Sequence, residues 1–154
     1  MTHQRTRVTT ALCLLKQALA GAVLSIFAAG AAVNAGPVTV SIDQVRHGSG
    51  TVAIALCDED GFLRQCQWGE VVPARQGQVT AEFEDVPPGD YAVMAFHDEN
   101  GDGRMARRDN GMPAEGWAFS NPDRSYQGPP SFAAASVRIS DTPEVVKTWM
   151  LYPH

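Results

Sequence analysis

The stretch Gln78–Asp98, QVTAEFEDVPPGDYAVMAFHD, holds two kinds of strand separated by a turn, and together they point to an all-β fold. Before the turn, Val79, Ala81 and Phe83 alternate with polar residues, the period-two pattern of a strand buried on one face. After it, Tyr91 to His97 is apolar on both faces, as a central strand would be. Between them, Pro87 and Pro88 remove backbone donors, and Gly89-Asp90 favours a turn. The same alternation appears on either side of this unit. Val38, Val40 and Ile42 form one set, and Val52, Ile54 and Leu56 within Thr51 to Cys57 form a second. Ala135, Val137 and Ile139 follow, then Val146, Thr148 and Met150 along one side of Val145 to Tyr152. Short strands punctuated by Gly and Pro predict a single antiparallel β-sandwich of about seven strands. Tyr91 to His97 is expected at its centre, with no helix longer than about two turns after residue 36.

Directly beyond the central strand comes Phe96–Asp109, FHDENGDGRMARRD, the clearest chemical signal in the chain. Asp98, Asn100 and Asp102 occupy alternating positions, and Gly103 follows at the sixth, as in the first half of a Ca²⁺ loop. Arg104 would offer its carbonyl oxygen at the seventh position, and Asp109 falls at the twelfth, where a closing carboxylate belongs. Asp109 is shorter than the usual Glu, and Asn110, Gly111 and Pro113 forbid a helix leaving the loop, so this is not an EF-hand. Arg104, Arg107 and Arg108 oppose a bound cation. The competing reading is a tight turn at Asn100-Gly101 whose Asp side chains hydrogen-bond local backbone.

The N-terminus has the layout of a secretory signal. Arg5, Arg7 and Lys16 precede an apolar run from Ala18 to Val33, and Val33-Asn34-Ala35 offers a cleavage site ahead of Gly36. That run is shorter than the ~20 residues of a membrane span, which favours cleavage over an uncleaved anchor. Residues 36–154 then suit one domain, with no membrane span, in a periplasmic or secreted setting. Removing residues 1–35 takes Arg5, Arg7 and Lys16 from the 12 bases and none from the 17 acids, so the net charge moves from −5 to −8. Such an acidic chain is a poor nucleic-acid binder.

Cys57 and Cys66 are the cysteines left after processing, and an oxidising compartment favours a disulfide between them across the turn-like Asp58-Glu59-Asp60-Gly61. The alternatives are two buried thiols or a metal pair. From Arg104 to Phe132 the chain has almost no strand pattern yet carries Trp117, Phe119, Tyr126 and Phe132. A connection of that length is either functional or packed by its own side chains. The four aromatics are therefore candidates for contacting a protein or glycan partner, or for plugging one end of the sandwich.

Two resemblances follow from these residues. Phe83 to Val93, centred on Val86-Pro87-Pro88-Gly89-Asp90-Tyr91, resembles the turn and strand of transthyretin-like and collagen-adhesin B-type sandwiches. The order of that turn, the HDENGDG loop, GMPAEGWAFSN from Gly111 and GPPSF from Gly128 is similar to the bacterial secreted family called domain of unknown function 2141. The resemblance spans Val38 to Leu151 and implies a small exported β-sandwich, immunoglobulin-like or prealbumin-like, without an established activity. The cysteine pair is not part of it.

Catalysis has a thinner basis. His97 adjoins Asp98 at a strand end, and Ser120 or Ser131 would have to reach it in space; no Gly-x-Ser-x-Gly elbow, HExxH helix or phosphate loop is present. The leading expectation is an exported, non-catalytic binding or envelope module with Ca²⁺ at residues 98–109. An enzyme built around His97 and a purely structural envelope protein are the alternatives. A binding module would expose an apolar patch, whereas an enzyme would place His97 beside a nucleophile in a pocket.

Overall fold

The computed structural model describes residues 35–122 and 128–153. Residues 1–34, on which the expected signal and its cleavage rest, lie outside the described residues, as do Tyr126 and His154. Among the described residues, eight strands and one helical turn occur in the order β1 (Gly36–Val45), β2 (Thr51–Cys57), β3 (Trp68–Pro73), β4 (Gly77–Val86), β5 (Gly89–Asp98), β6 (Gly116–Phe119), α1 (Phe132–Ala135), β7 (Val137–Ile139) and β8 (Glu144–Trp149). They form a three-stranded sheet, β4-β1-β8, and a five-stranded sheet, β3-β2-β5-β6 with β7 also on β5.

The period-two residues face one another across these sheets. Val38, Val40 and Ile42 of β1 and Val79, Ala81 and Phe83 of β4 meet Val52, Ile54 and Leu56 of β2 in one buried cluster. Val146 and Met150 belong to the same cluster. Each fully buried aliphatic side chain contributes about 1.5–3 kcal/mol, so this shared face is the main stabilising feature. β5 pairs with β2 along Ala92–Asp98, with β6 along Met94–His97 and with β7 along Gly89–Tyr91; one face gives Tyr91, Val93 and Ala95 to the main core, and the other gives Ala92 and Met94 to a second apolar cluster.

Three expectations change. The fold is not wholly antiparallel: β1 and β8 run parallel, from Val38↔Glu144 to Asp43↔Trp149. After β8 the chain crosses to the other sheet, where Trp117 and Leu151 exchange hydrogen bonds of 2.9 and 2.7 Å. Arg104 to Phe132 contains strand β6, too short at four residues to register as alternation. Ala135 ends the helical turn instead of opening a strand, because Ser131 caps that turn by accepting a hydrogen bond from the Ala134 N–H. β3, an exposed edge strand holding Gly69 and closing at Pro73, also lies outside the alternating sets.

Cys57 and Cys66 form a disulfide, with Cα atoms 4.6 Å apart. Its loop closes further through Gly61 N–H to Asp58 Oδ1 (2.7 Å) and Arg64 N–H to the Gly61 carbonyl (2.9 Å). Leu63, at φ 59°, is held there in a left-handed conformation that branched residues rarely adopt. Among the described residues no helix is long and apolar enough to cross a membrane.

Candidate functional site

The outer face of the five-stranded sheet is where the structure gathers exposed apolar side chains. Strand register sets two rows across it: Val71, Ala53, Phe96 and Trp117, then Gly69, Ala55, Met94 and Phe119. Small residues on β2 and β3 lie beside large ones on β5 and β6, so the surface sinks into a groove of about 750 Å³. That volume falls in the ~300–1,000 Å³ range of small-molecule sites. Leu63 and Arg64 from the disulfide loop form one wall, Met105, Arg107 and Met112 another, and Gly128-Pro129 a third. Four large apolar side chains are conspicuously exposed among the described residues, and three of them, Leu63, Val71 and Met112, line this groove. Their convergence is the kind of exposed patch that marks a binding surface.

The sequence-predicted aromatics divide. Trp117 and Phe119 line the groove. Phe119 also packs edge-on against Phe62, which meets Phe132 edge-on in turn, with ring centroids 6.1 and 5.7 Å apart. These rings join Cys57, Ala92 and Ala135 in a second apolar cluster, so Phe132 is packing material for the groove's margin.

The acidic loop sits at the end of β5. Asp98, nearly buried, accepts through Oδ1 from the N–H groups of Gly101 (2.8 Å) and Asp102 (3.1 Å), and through Oδ2 from Gly103 (2.8 Å). Gly101 and Gly103, both at φ 74°, supply the left-handed residues this tight winding requires. Asn100 Nδ2 donates to Asp102 Oδ2 (3.0 Å), and Asp102 Oδ1 accepts from the Arg104 N–H (2.8 Å). Asp109 lies at the exposed tip of a small hairpin, Arg108 to Gly111, that extends from the loop. Glu115, where the chain returns, ties loop and hairpin together: Oε1 accepts from Glu99 N–H (2.9 Å) and Oε2 from Ala106 N–H (2.8 Å). Sequence reasoning passed over Glu115, an acid just beyond a turn-rich arm whose burial only the fold shows. Among the described residues no group of three or more His, Cys, Asp or Glu side chains is placed to hold a metal ion.

His97 is fully buried in a polar network. Its Nε2–H donates to the Ser49 carbonyl (2.7 Å), leaving Nδ1 to accept from the Tyr152 hydroxyl (2.8 Å), which accepts from Arg46 N–H (3.0 Å). His47 receives the Ser49 N–H on Nδ1 (3.3 Å) and donates from Nε2 to Glu99 Oε2 (2.8 Å), where the Arg46 guanidinium also binds. Ser120 is engaged elsewhere, accepting from Val93 N–H (2.8 Å) and donating to the Ala135 carbonyl, while Ser131 caps α1. Both ring nitrogens of His97 are thus used in holding β5 to its neighbours, and neither serine is among its partners.

Burial pushes the Tyr152 phenol above its ordinary range, and the Glu99 charge adds to this. Burial also pushes the Glu99 carboxyl up, but the hydrogen bonds from Arg46 and His47 outweigh it and hold the group below its usual value. With a depressed folded pKa, Glu99 contributes stability that is fully present above the unfolded carboxylate range and lost as pH falls through the folded pKa. Glu99→Gln should therefore melt lower at neutral pH by the equivalent of about 1 kcal/mol, since the Arg46 side is exposed. That difference should vanish in acid; melting curves with a constant offset at all pH values would contradict it.

Two packed sheets enclosing one core, with an apolar groove on the outer face of the larger, define the class: an all-β domain carrying a surface cleft. The chain belongs to the family described as "Uncharacterized protein conserved in bacteria (DUF2141)", which matches residues 40–147. No curated protein and no solved structure matches it.

Proposed function

We propose that this chain is an exported, non-catalytic binding module that takes its ligand in the groove of the five-stranded sheet. The convergence of Leu63, Val71 and Met112 on a concave, mostly apolar surface carries the reading. Export is supported by the signal-like pattern of residues 1–35 and by the Cys57–Cys66 disulfide, a bond favoured in oxidising compartments. A neutral apolar dye, phenylnaphthylamine, should brighten on binding the wild-type protein. Ala55→Trp or Ala53→Phe, which fill the depression from the floor, should abolish the signal while leaving the melting temperature close to wild type. A dye response that is absent, or undiminished in folded variants of both kinds, would contradict the reading.

Ca²⁺ at Asp98, Asn100, Asp102, the Arg104 carbonyl and Asp109 is the second part of the proposal. It is supported by the ligand spacing and by the two left-handed glycines of the loop. The ion would have to compete with the N–H donors that now engage Asp98. A hundredfold excess of Ca²⁺ over Kd would stabilise the fold by about 2.7 kcal/mol, raising the melting temperature several degrees above that in chelator. Identical curves in chelator and in millimolar Ca²⁺, with no heat of binding, would remove calcium from the account.

A further inference from the structure

We infer that the ligand of the groove is a free, single-chain amphipathic anion: an apolar chain carrying one acidic head group. The inference rests on the binding-module reading above and adds to it the charge of the ligand.

The floor between β2 and β5 offers no hydrogen-bonding side chain. Ala53, Ala55, Met94 and Phe96 present hydrocarbon, a thioether and a ring face, and such a surface gains by covering methylene groups and gains nothing by covering hydroxyls. A glycan would leave most of its hydroxyls without partners there.

The rim supplies the opposite chemistry. Acids outnumber bases in this chain, 17 to 12, yet among the described residues the charged ones lining the groove are two arginines, Arg64 and Arg107, and one acid, Glu70. Glu70 stands in register with the core-facing Ile54, so strand alternation turns its side chain away from the face that forms the floor. Arg107 spends one N–H on the Gly111 carbonyl at 2.9 Å and keeps its other donors. Arg64 is exposed and has no ion pair or side-chain hydrogen bond among the described residues. A cation without a protein partner beside an apolar groove is a receptor for a carboxylate or similar head, and guanidinium is the side chain best shaped to grip one.

The disulfide loop fixes the backbone from which this cation projects. Leu63 is kept at φ 59° and Arg64 N–H is bonded to the Gly61 carbonyl, inside a loop closed by Cys57–Cys66. A branched residue in a left-handed conformation stores strain, and such strain concentrates at ligand-binding positions. Here it projects an apolar side chain and a neighbouring cation over the same groove.

Calorimetric titration of the full mature protein with monomeric laurate, and separately with dodecanol, tests the inference. Both ligands have the same chain, and only laurate has the charge. Laurate should bind about tenfold or more tighter than dodecanol, the equivalent of one charge-assisted hydrogen bond. Replacing both arginines, Arg64→Gln with Arg107→Gln, should remove that preference and bring laurate to the affinity of dodecanol. Equal affinity for the two ligands, or a preference that survives the double substitution, would overturn the anion inference while the dye still shows an apolar groove. Association with anionic lipid vesicles without binding of monomeric laurate would overturn it as well. Loss of dye, dodecanol and laurate binding together would overturn the binding-module reading itself.

Discussion

Gly50→Ala should prevent stable folding. Gly50 has φ 75°, and a Cβ built there would lie 1.9 Å from the Asp98 carbonyl oxygen and 2.9 Å from its carbon. Those are backbone atoms at the end of β5, paired with Thr51 at the start of β2, so relief requires parting two strands instead of turning one side chain. The displacement would also drag Ser49, whose carbonyl holds buried His97. A loss above about 4 kcal/mol is expected, in the exceptional range for one substitution and a large fraction of a small domain's stability. Gly77→Ala is the control: at φ 98° but with nothing within 4 Å of the added Cβ, it should cost only about 1 kcal/mol. Equal melting temperatures for the two variants would contradict the packing described between β2 and β5.

Asp98→Ala should destabilise the protein even in chelator, by about 2–4 kcal/mol, because one nearly buried carboxylate accepts three backbone N–H groups and fixes the loop that leads into a groove wall. Asp98→Asn keeps an acceptor oxygen and should lose roughly half as much. Asp102→Ala, on an exposed residue bonded to Asn100 and Arg104, should lose less than either in chelator. Urea titration in chelator separates these contributions from any effect of Ca²⁺. If Asp98→Ala and Asp102→Ala unfold at the same urea concentration, the carboxylate of Asp98 is not what closes the loop.

Much of the architecture was legible because burial on one face of a strand imposes period two on the sequence. Val38 to Ile42, Val52 to Leu56, Val79 to Phe83 and Val146 to Met150 all place their alternating side chains in the core. The disulfide followed from compartment and spacing in the same local way. The parallel pairing of β1 with β8 was not legible, since strand direction is decided by a crossover between segments about a hundred residues apart. β3 and β6 were missed for different local reasons: the first is an exposed edge strand, and the second has only four residues.

The groove was half visible. Trp117 and Phe119 stood out as aromatics in an otherwise patternless stretch, but their direction depends on register with Phe96 and Met94. Ala53, Ala55 and Gly69 carry no signal alone; they become a depression only when β2 and β3 pair beside the large side chains of β5. Arg64 could not be linked to Arg107 by spacing, because one belongs to the disulfide loop and the other to the arm that follows the acidic loop. The twelve-position calcium pattern gives Asp109 the closing place by spacing alone; that Asp109 sits on a hairpin tip and that Glu115 returns to the loop is not visible in that spacing.

The central claim is that an apolar ligand occupies the outer face of the five-stranded sheet. The methionines suit a direct measurement, since Met94, Met105 and Met112 line the groove whereas Met150 is buried in the core between the sheets. In mature protein labelled at the methionine methyl groups, titration with phenylnaphthylamine should shift the resonances of Met94, Met105 and Met112 through the dye's ring currents and leave Met150 in place. Saturating dye that moves none of the three, or moves Met150 instead, would contradict the account.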